Sequence, residues 1–543
     1  MANYPARIAG VLSALTVAVA FAVTGPIAAQ ADTPAPSTSL SIDSCPALYA
    51  LGIQGTGESS PDAAPSTDTG MLSTVFRPML AKAPEAGLVD RAYVPYEAGF
   101  GGFTNGGTTP YAQSVSDGLT RLRSMAQAVV DRCPDTRLAV VGYSQGAHVA
   151  SLFAQEVGQS KGVIPADKIA AVALFGDPTR NAGAPLFPGS PGKTNPDAAP
   201  GTDGAEVAAI AALNQTPASG GGIAPERDTA KNFAALTGRV ASFCTAGDLS
   251  CDAPEGAPIL RAVANIAGQA QVSGGDPIAS LVSVAQALAY TSIKTVSKVV
   301  NEDVSGSSLS NLSISPKKSI SERLADASDP RTPIDINGAF QALLKVGMIG
   351  LNAVVTVVKA VINPATIAEL ATAGLANPVA GLALLGMKLL GAIPELIPPT
   401  TISRLVTQAF TAVVQNITDN SELLNITTWV KYWETVQRHG AYDSAAVTAS
   451  GDAPVRFVAD WFAALARDLD EKLGSGDAPR TVSTTPKPRL SVPATGASTT
   501  PNPSSTGEFP FGNGANRAPS SGASVTPTAV PGTPRISNPS LTN

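Results

Sequence analysis

The chain has 543 residues, a formal net charge of −6 and only 14% charged side chains. That length accommodates two or three domains, and the weak negative charge argues against a nucleic-acid partner, which calls for a basic surface. Hydrophobic residues make up 44% but aromatics only 5%, so the apolar content is mostly Ala, Val, Ile and Leu.

Residues 1–31 read as a secretory signal. Arg7 is the positive region, Ile8 to Val23 form an uncharged, largely apolar run, and Ala29-Gln30-Ala31 puts small residues before a cut at Asp32. A secreted protein is expected, extracellular or associated with the cell envelope. Residues 32–44 form a Pro/Ser/Thr linker. Four cysteines follow: Cys45, Cys133, Cys244 and Cys251. Export makes disulfides the default. Three pairings are open, and the closeness of Cys244 and Cys251 favours Cys45–Cys133 with Cys244–Cys251. The other reading is a zinc site, but no histidine lies near any cysteine.

Ala47–Gln54 reads as a first strand ending at Gly55-Thr56-Gly57-Glu58, a turn able to bring a hydroxyl and a backbone N–H close to a ligand. Arg91–Tyr96 is a second strand. Tyr111, Val115, Leu119, Leu122 and Val129 fall at helical spacing, predicting a helix over 110–131. Leu138–Val141 is a buried strand that runs into Gly142-Tyr143-Ser144-Gln145-Gly146, and Ala147, Val149, Ala150 and Leu152 begin a helix. Lys168–Phe175 is another buried strand, closed by Gly176-Asp177-Pro178. Residues 179–236 are rich in Gly, Pro, Ala and Asn and read as a long surface excursion with a helical patch near 204–213. Arg239–Phe243 returns as a strand. This alternation of strands and helices predicts an α/β fold, a doubly wound and mainly parallel sheet covered on both faces. That domain occupies 45–252 and 430–470.

From 253 to 429 the strand pattern stops. Apolar helical segments at 258–272, 277–300, 338–362, 365–376, 379–392 and 401–416 are separated by breakers such as Asn363-Pro364, Asn377-Pro378 and Pro398-Pro399. We expect an inserted all-helical subdomain, a lid or an acyl-binding wall. The uncharged run Leu370 to Met387 contains Gly374 and Pro378, so packing is favoured over a membrane span. Helical patterning resumes over Trp429–Val436, followed by His439-Gly440-Ala441-Tyr442. A last amphipathic helix carries Val455, Phe457, Val458, Trp461, Phe462 and Leu465. Residues 475–543 are rich in Pro, Ser, Thr and Gly, with too little apolar surface to offset ordering, and are expected to be disordered. No apolar run follows Val492-Pro493-Ala494-Thr495-Gly496, so a wall-sorting signal is discounted.

The chemistry centres on Ser144. A G-x-S-x-G pentapeptide between a strand and a helix is a nucleophile elbow. Its small residues permit a strained turn, and the helix N-terminus behind the serine favours developing negative charge. A serine hydroxyl needs a base, and the chain has two histidines. His148 lies one turn along the serine's own helix and reads as a packing residue. His439 follows Asp248, giving the order Ser, Asp, His of α/β-hydrolases. By elimination His439 is the base. Asp248, just past a strand and between two cysteines, is the acid. Asp177 is its rival, and Asp252 is weaker still. The backbone N–H of Gln145 and the turn carrying Thr56 would form the oxyanion hole. No metal cluster, phosphate loop or cofactor fingerprint is present in the sequence, so no cofactor or metal is expected.

Gly-Tyr-Ser-Gln-Gly at 142–146, Cys-Thr-Ala-Gly-Asp-Leu-Ser-Cys at 244–251 and His439-Gly440-Ala441-Tyr442 together resemble the cutinase family. Gly55-Thr56-Gly57-Glu58, Val94-Pro95-Tyr96-Glu97-Ala98 and the run from Tyr111 to Gly118 support the resemblance, as does the placement of Cys45 and Cys133. It covers about 45–252 and 430–468. It implies a secreted serine esterase on a small doubly wound sheet, with nucleophile, acid and base at Ser144, Asp248 and His439. The oxyanion hydroxyl falls at Thr56 with the Gln145 amide as partner, and the disulfides fall on the pairs favoured above. The departure is the insertion: family members usually place the histidine shortly after the second disulfide, and here nearly two hundred positions intervene. Apolar, weakly charged helices beside such a site suit long acyl chains. Hydrolysis of carboxylic esters of lipid or polyester type is the leading expectation, in a monomer with peripheral contact to lipid or envelope through the insertion. Acyl transfer by the same triad and a non-catalytic lipid-binding envelope protein are the alternatives.

Overall fold

A computed structural model describes residues 40, 42, 44–102, 107–255, 257–269, 277–306, 312–349, 399–424 and 434–473. The expected signal, most of the linker, the helices expected between 350 and 398, the run Leu370 to Met387, Trp429 and the tail lie outside the described residues. The described residues belong to one compact unit.

Five strands make the central sheet: β1 (Leu48–Ile53), β2 (Val89–Tyr93), β3 (Arg137–Tyr143), β4 (Ile169–Phe175) and β5 (Val240–Phe243). All pairs are parallel and the order is β2-β1-β3-β4-β5. Parallel strands are joined by crossovers that cover both faces, so β1, β3, β4 and β5 are buried and read largely as apolar runs, whereas β2, at one edge, keeps half-buried Asp90 and Arg91 in its middle. Alternate side chains divide between two cores. Leu48, Ala50, Ala139, Val141, Ala173 and Phe175 face α1 (Ser73–Lys82) and the last helix, α10 (Pro454–Leu473). Tyr49, Leu51, Ile53, Val140, Val172 and Leu174 face α2 (Tyr111–Arg132) and α3 (Gln145–Gly158). Trp461 and Phe462 of α10 are wholly buried, so this distant segment completes one face of the domain.

Winding reverses between β1 and β3, and a crevice opens there at the carboxyl ends of the strands. Ser144 follows β3 and Thr56 follows β1. Cys45–Cys133 and Cys244–Cys251 are disulfide-bonded. Residues 179–236 differ from the expected surface excursion. They bury Phe187, Val207, Leu213, Phe233 and Leu236, because the sheet edge at β4 and β5 needs a cover that no long helix supplies.

The insertion begins with α4 (Pro258–Ala267) and α5 (Pro277–Lys298), then a π-helical turn, Val299–Asp303. A two-stranded hairpin, β6 (Val304–Ser305) with β7 (Ser313–Ile314), leads to α6 (Ile320–Ser328), α7 (Ile336–Ile349) and α8 (Pro399–Asp419). A capping box starts α6: Ser319 accepts from the Glu322 amide, and the Glu322 carboxylate accepts from the Ser319 amide. Buried Arg323 of α6 pairs with Glu302 and Asp303 of the π turn at 2.8 and 2.5 Å. No helix among the described residues is long and apolar enough to cross a membrane.

Candidate active site

Ser144 sits at φ 55°, ψ −119° between β3 and α3, a backbone region that L-residues rarely occupy. The turn is possible because its neighbours lack side chains. A Cβ on Gly146 would lie 2.0 Å from the Ile53 carbonyl oxygen, and one on Gly142 would lie 2.3 Å from the Gly146 oxygen. The turn aims Ser144 Oγ at His439 Nε2, 2.7 Å away. His439 Nδ1 is 2.9 Å from both carboxylate oxygens of Asp248. An ionised carboxylate only accepts, so Nδ1 carries the proton and Nε2 presents its lone pair to the serine hydroxyl.

Asp248 is buried and held from three further directions. The Ser250 amide donates to Oδ1 at 3.0 Å, Tyr442 OH donates to Oδ2 at 2.6 Å, and the Cys244–Cys251 bridge closes its loop. Burial pushes the Tyr442 hydroxyl well above the usual tyrosine range, and the Asp248 charge adds to this, so Tyr442 keeps its proton for Asp248 while its oxygen accepts from the Thr245 amide at 3.4 Å. His439 ends a short helix, α9 (Thr435–Gly440), docked on the same loop. The Leu249 amide donates to Thr435 Oγ1 at 2.9 Å, and Arg438 donates to the Ala246 oxygen at 3.0 Å. Tyr143 stacks on the imidazole with centroids 5.2 Å apart and donates to the His439 carbonyl at 3.0 Å. Tyr143 and Tyr442 fall within the sequence motifs, but no role for either is evident from the sequence. The available signal is position: Tyr143 directly precedes the candidate nucleophile, and Tyr442 lies three residues after the candidate base.

The Gln145 side chain is occupied: Nε2 donates to the Gly99 oxygen at 2.8 Å and Oε1 accepts from Ser114 at 3.1 Å. Its backbone N–H heads α3, where no carbonyl lies four residues back within the helix. The turn with Thr56 is shaped by Glu58, which accepts from the amides of Gly55 and Met71 at 3.1 and 3.0 Å. Thr56 and Ser144 line one cavity of about 250 Å³.

The rival residues go elsewhere. Asp177 accepts from the amide and hydroxyl of Thr179, both at 2.8 Å. Burial pushes its carboxyl up to about 6 against the pull of those bonds. Asp252 accepts from the amides of Gly220 and Gly247 at 2.6 and 2.8 Å. His148 is buried on α3, with Nε2 3.1 Å from Asp228 Oδ2 and Nδ1 3.1 Å from Tyr111 OH. Asp228 also meets Arg331 of the insertion through two bonds of 2.9 and 2.6 Å. Burial works to raise the Asp228 carboxyl, but its bonds to His148 and Arg331 prevail and hold it below the usual range.

A parallel sheet whose middle strand ends in such an elbow, with a hydroxyl, an imidazole and a carboxylate in line, is the construction of an α/β-hydrolase. The family model for cutinase matches residues 44–261. A carboxylesterase Culp6 homolog from Corynebacterium glutamicum is 32% identical over 218 residues, which is 39% of this chain and 67% of the relative. A cutinase from Botryotinia fuckeliana is 30% identical over 151 residues, 26% of this chain and 63% of the relative. Among solved structures, the catalytic core domain of acetyl xylan esterase from Trichoderma reesei aligns with 20% identity, covering 44% of this chain and 98% of that one at a TM-score of 0.28. The chain belongs to the cutinase family and is a carboxylic ester hydrolase.

Proposed function

We propose that the chain hydrolyses lipid-type carboxylic esters outside the cytoplasm through an acyl-enzyme, with Ser144 as nucleophile, His439 as base and Asp248 as the carboxylate that orients it. The observation that carries this is the unbroken line from Ser144 Oγ through the imidazole to Asp248, at 2.7 and 2.9 Å. His439 Nε2 takes the hydroxyl proton as Oγ bonds to the ester carbonyl carbon. The carbonyl oxygen gains charge against the Gln145 N–H and Thr56, and each such donor contributes about 3 kcal/mol of transition-state stabilisation. The tetrahedral adduct collapses, the C–O bond to the alcohol breaks, and His439 returns its proton to the departing alkoxide. Water then repeats the sequence on the acyl-enzyme and releases the carboxylic acid.

Two disulfides in a small domain suit an oxidising compartment and support export. For the insertion, residues 253–429, we favour the acyl-wall reading. The cavity at Ser144 is bordered by Ala264, Gly268 and Pro330 as well as by the hydrolase domain. Peripheral lipid contact is supported by one stripe of α7, where Ile336, Phe340, Leu343 and Leu344 are exposed, the first two by 71% and 59%. The test is a fluorophosphonate probe on the full chain together with ester hydrolysis. Labelling and turnover in the wild type, both lost in Ser144→Ala, support the reading. Unlabelled wild type removes it.

A further inference from the structure

We infer that the insertion roofs an acyl channel over α2 and α3, sized for a straight chain of about ten carbons, so that chain-length selection resides in the insertion. The inference rests on the esterase reading above and extends it to the substrate.

Ser144, His148 and Leu152 border the cavity in succession along α3, and Val115 and Leu119 border it along α2. Eight residues at a helical rise of about 1.5 Å make a floor of about 12 Å. An extended chain advances about 1.2 Å per bond, since a residue of three bonds spans about 3.6 Å. Ten carbons therefore cover the floor.

The roof comes from the insertion. Ala264 and Gly268 of the α4 segment face the channel, and a Cβ on Gly268 would stand 3.2 Å from Tyr111 Cβ, so roof and floor are in close contact there. Asn265 anchors the roof helix by donating to Ser328 Oγ at 3.0 Å. Asp228 ties the two layers together, because it receives His148 from the floor and Arg331 from the roof. The lining is mostly apolar, and its charged groups are engaged with one another.

The direction of the channel identifies which half of the ester it takes. The departing alcohol must lie against His439, which protonates it. His439 does not border the cavity, whereas Thr56, on the oxyanion side of Ser144, does. The channel is thus left to the acyl chain.

The experiment uses the full chain and a series of p-nitrophenyl alkylphosphonates from four to sixteen carbons, with the rate of Ser144 phosphonylation as readout. Burial of apolar surface predicts a rise of up to about fourfold per methylene, ending near ten carbons, where further methylenes stay in water. Ala264→Leu, from the roof, and Ala112→Leu, from the opposite wall, occupy the channel. Each lowers the ratio of ten-carbon to four-carbon rates by about tenfold and moves the plateau to shorter chains. A flat profile, a rise undiminished to sixteen carbons, or a plateau that neither variant moves overturns the channel while leaving the esterase standing. Failure of every phosphonate to modify Ser144 overturns the esterase reading itself, and the channel with it.

Discussion

His439 Nε2 stands 2.7 Å from Ser144 Oγ although 295 positions of chain separate the two residues. The contact is not made by the insertion's helices but by the hydrolase domain's own pieces. The Asp248 loop receives α9, and Tyr143, the residue before the serine, receives the imidazole on its ring.

If that contact carries the chemistry, Ser144→Ala and His439→Ala each lower kcat by about 10⁴-fold or more while KM for a soluble ester changes little. Removing both costs no more than removing one, because the pair acts as a unit. Steady-state kinetics of the two single variants and the double variant check this; additive losses would argue for independent roles.

Tyr442 supplies a short hydrogen bond to Asp248, the carboxylate proposed to orient the base. Tyr442→Phe keeps the ring and removes the donor, which for a charged acceptor is worth about 1.5–3 kcal/mol. We expect kcat to fall about tenfold with Ser144 still labelled by fluorophosphonate. KM for a soluble ester should change little, which a general loss of packing around the site would not produce.

Gly176 follows β4 at φ +60°, and a Cβ there would meet His439 Cε1 at 2.9 Å and Asp248 Oδ2 at 3.1 Å. Gly176→Ala therefore displaces the imidazole and adds about 1–2 kcal/mol of left-handed strain. A large fall in kcat with a small fall in Tm is expected. Unchanged kcat would mean that the imidazole has more freedom than its contacts imply.

Asp177 is buried with its carboxyl raised from 3.8 to about 6. Between those values the folded state binds the proton more tightly than the unfolded chain, so stability falls as pH rises through this window, by about 3 kcal/mol in total at 1.36 kcal/mol per unit. Asp177→Asn removes the titration, and its side-chain oxygen still accepts from Thr179. Its Tm relative to wild type should therefore climb between pH 4 and pH 7. Melting curves at several pH values check this, and a constant difference would rule out Asp177 as the titrating group.

Strands β1, β3 and β4 were readable because each is buried on both sides and stands out as an apolar run; Lys168–Phe175 differs from β4 by one residue, whereas β2, with Asp90 and Arg91 in its middle, meets the expected Arg91–Tyr96 only over 91–93. The elbow was readable because strain demands small residues at 142 and 146. Helix α1 escaped because Pro78 interrupts its pattern. Helix α6 escaped although Ser319 and Glu322 carry a capping-box spacing that could have revealed it. The tie among His148, Asp228 and Arg331 could not be read at all. Its partners lie 80 and 103 positions apart, and no local rule links a histidine to a carboxylate at such a distance.

Asp248 and His439 lie 191 positions apart, with the whole insertion between them. A ribosome adding about 5–20 residues per second takes roughly ten to forty seconds to pass from one to the other. If Ser144, Asp248 and His439 act as proposed, the nascent chain holds its nucleophile and acid without a base throughout that interval, and a product that stops inside the insertion lacks the full triad. A cell making this protein is thereby spared an ester-cleaving fragment among its own lipids.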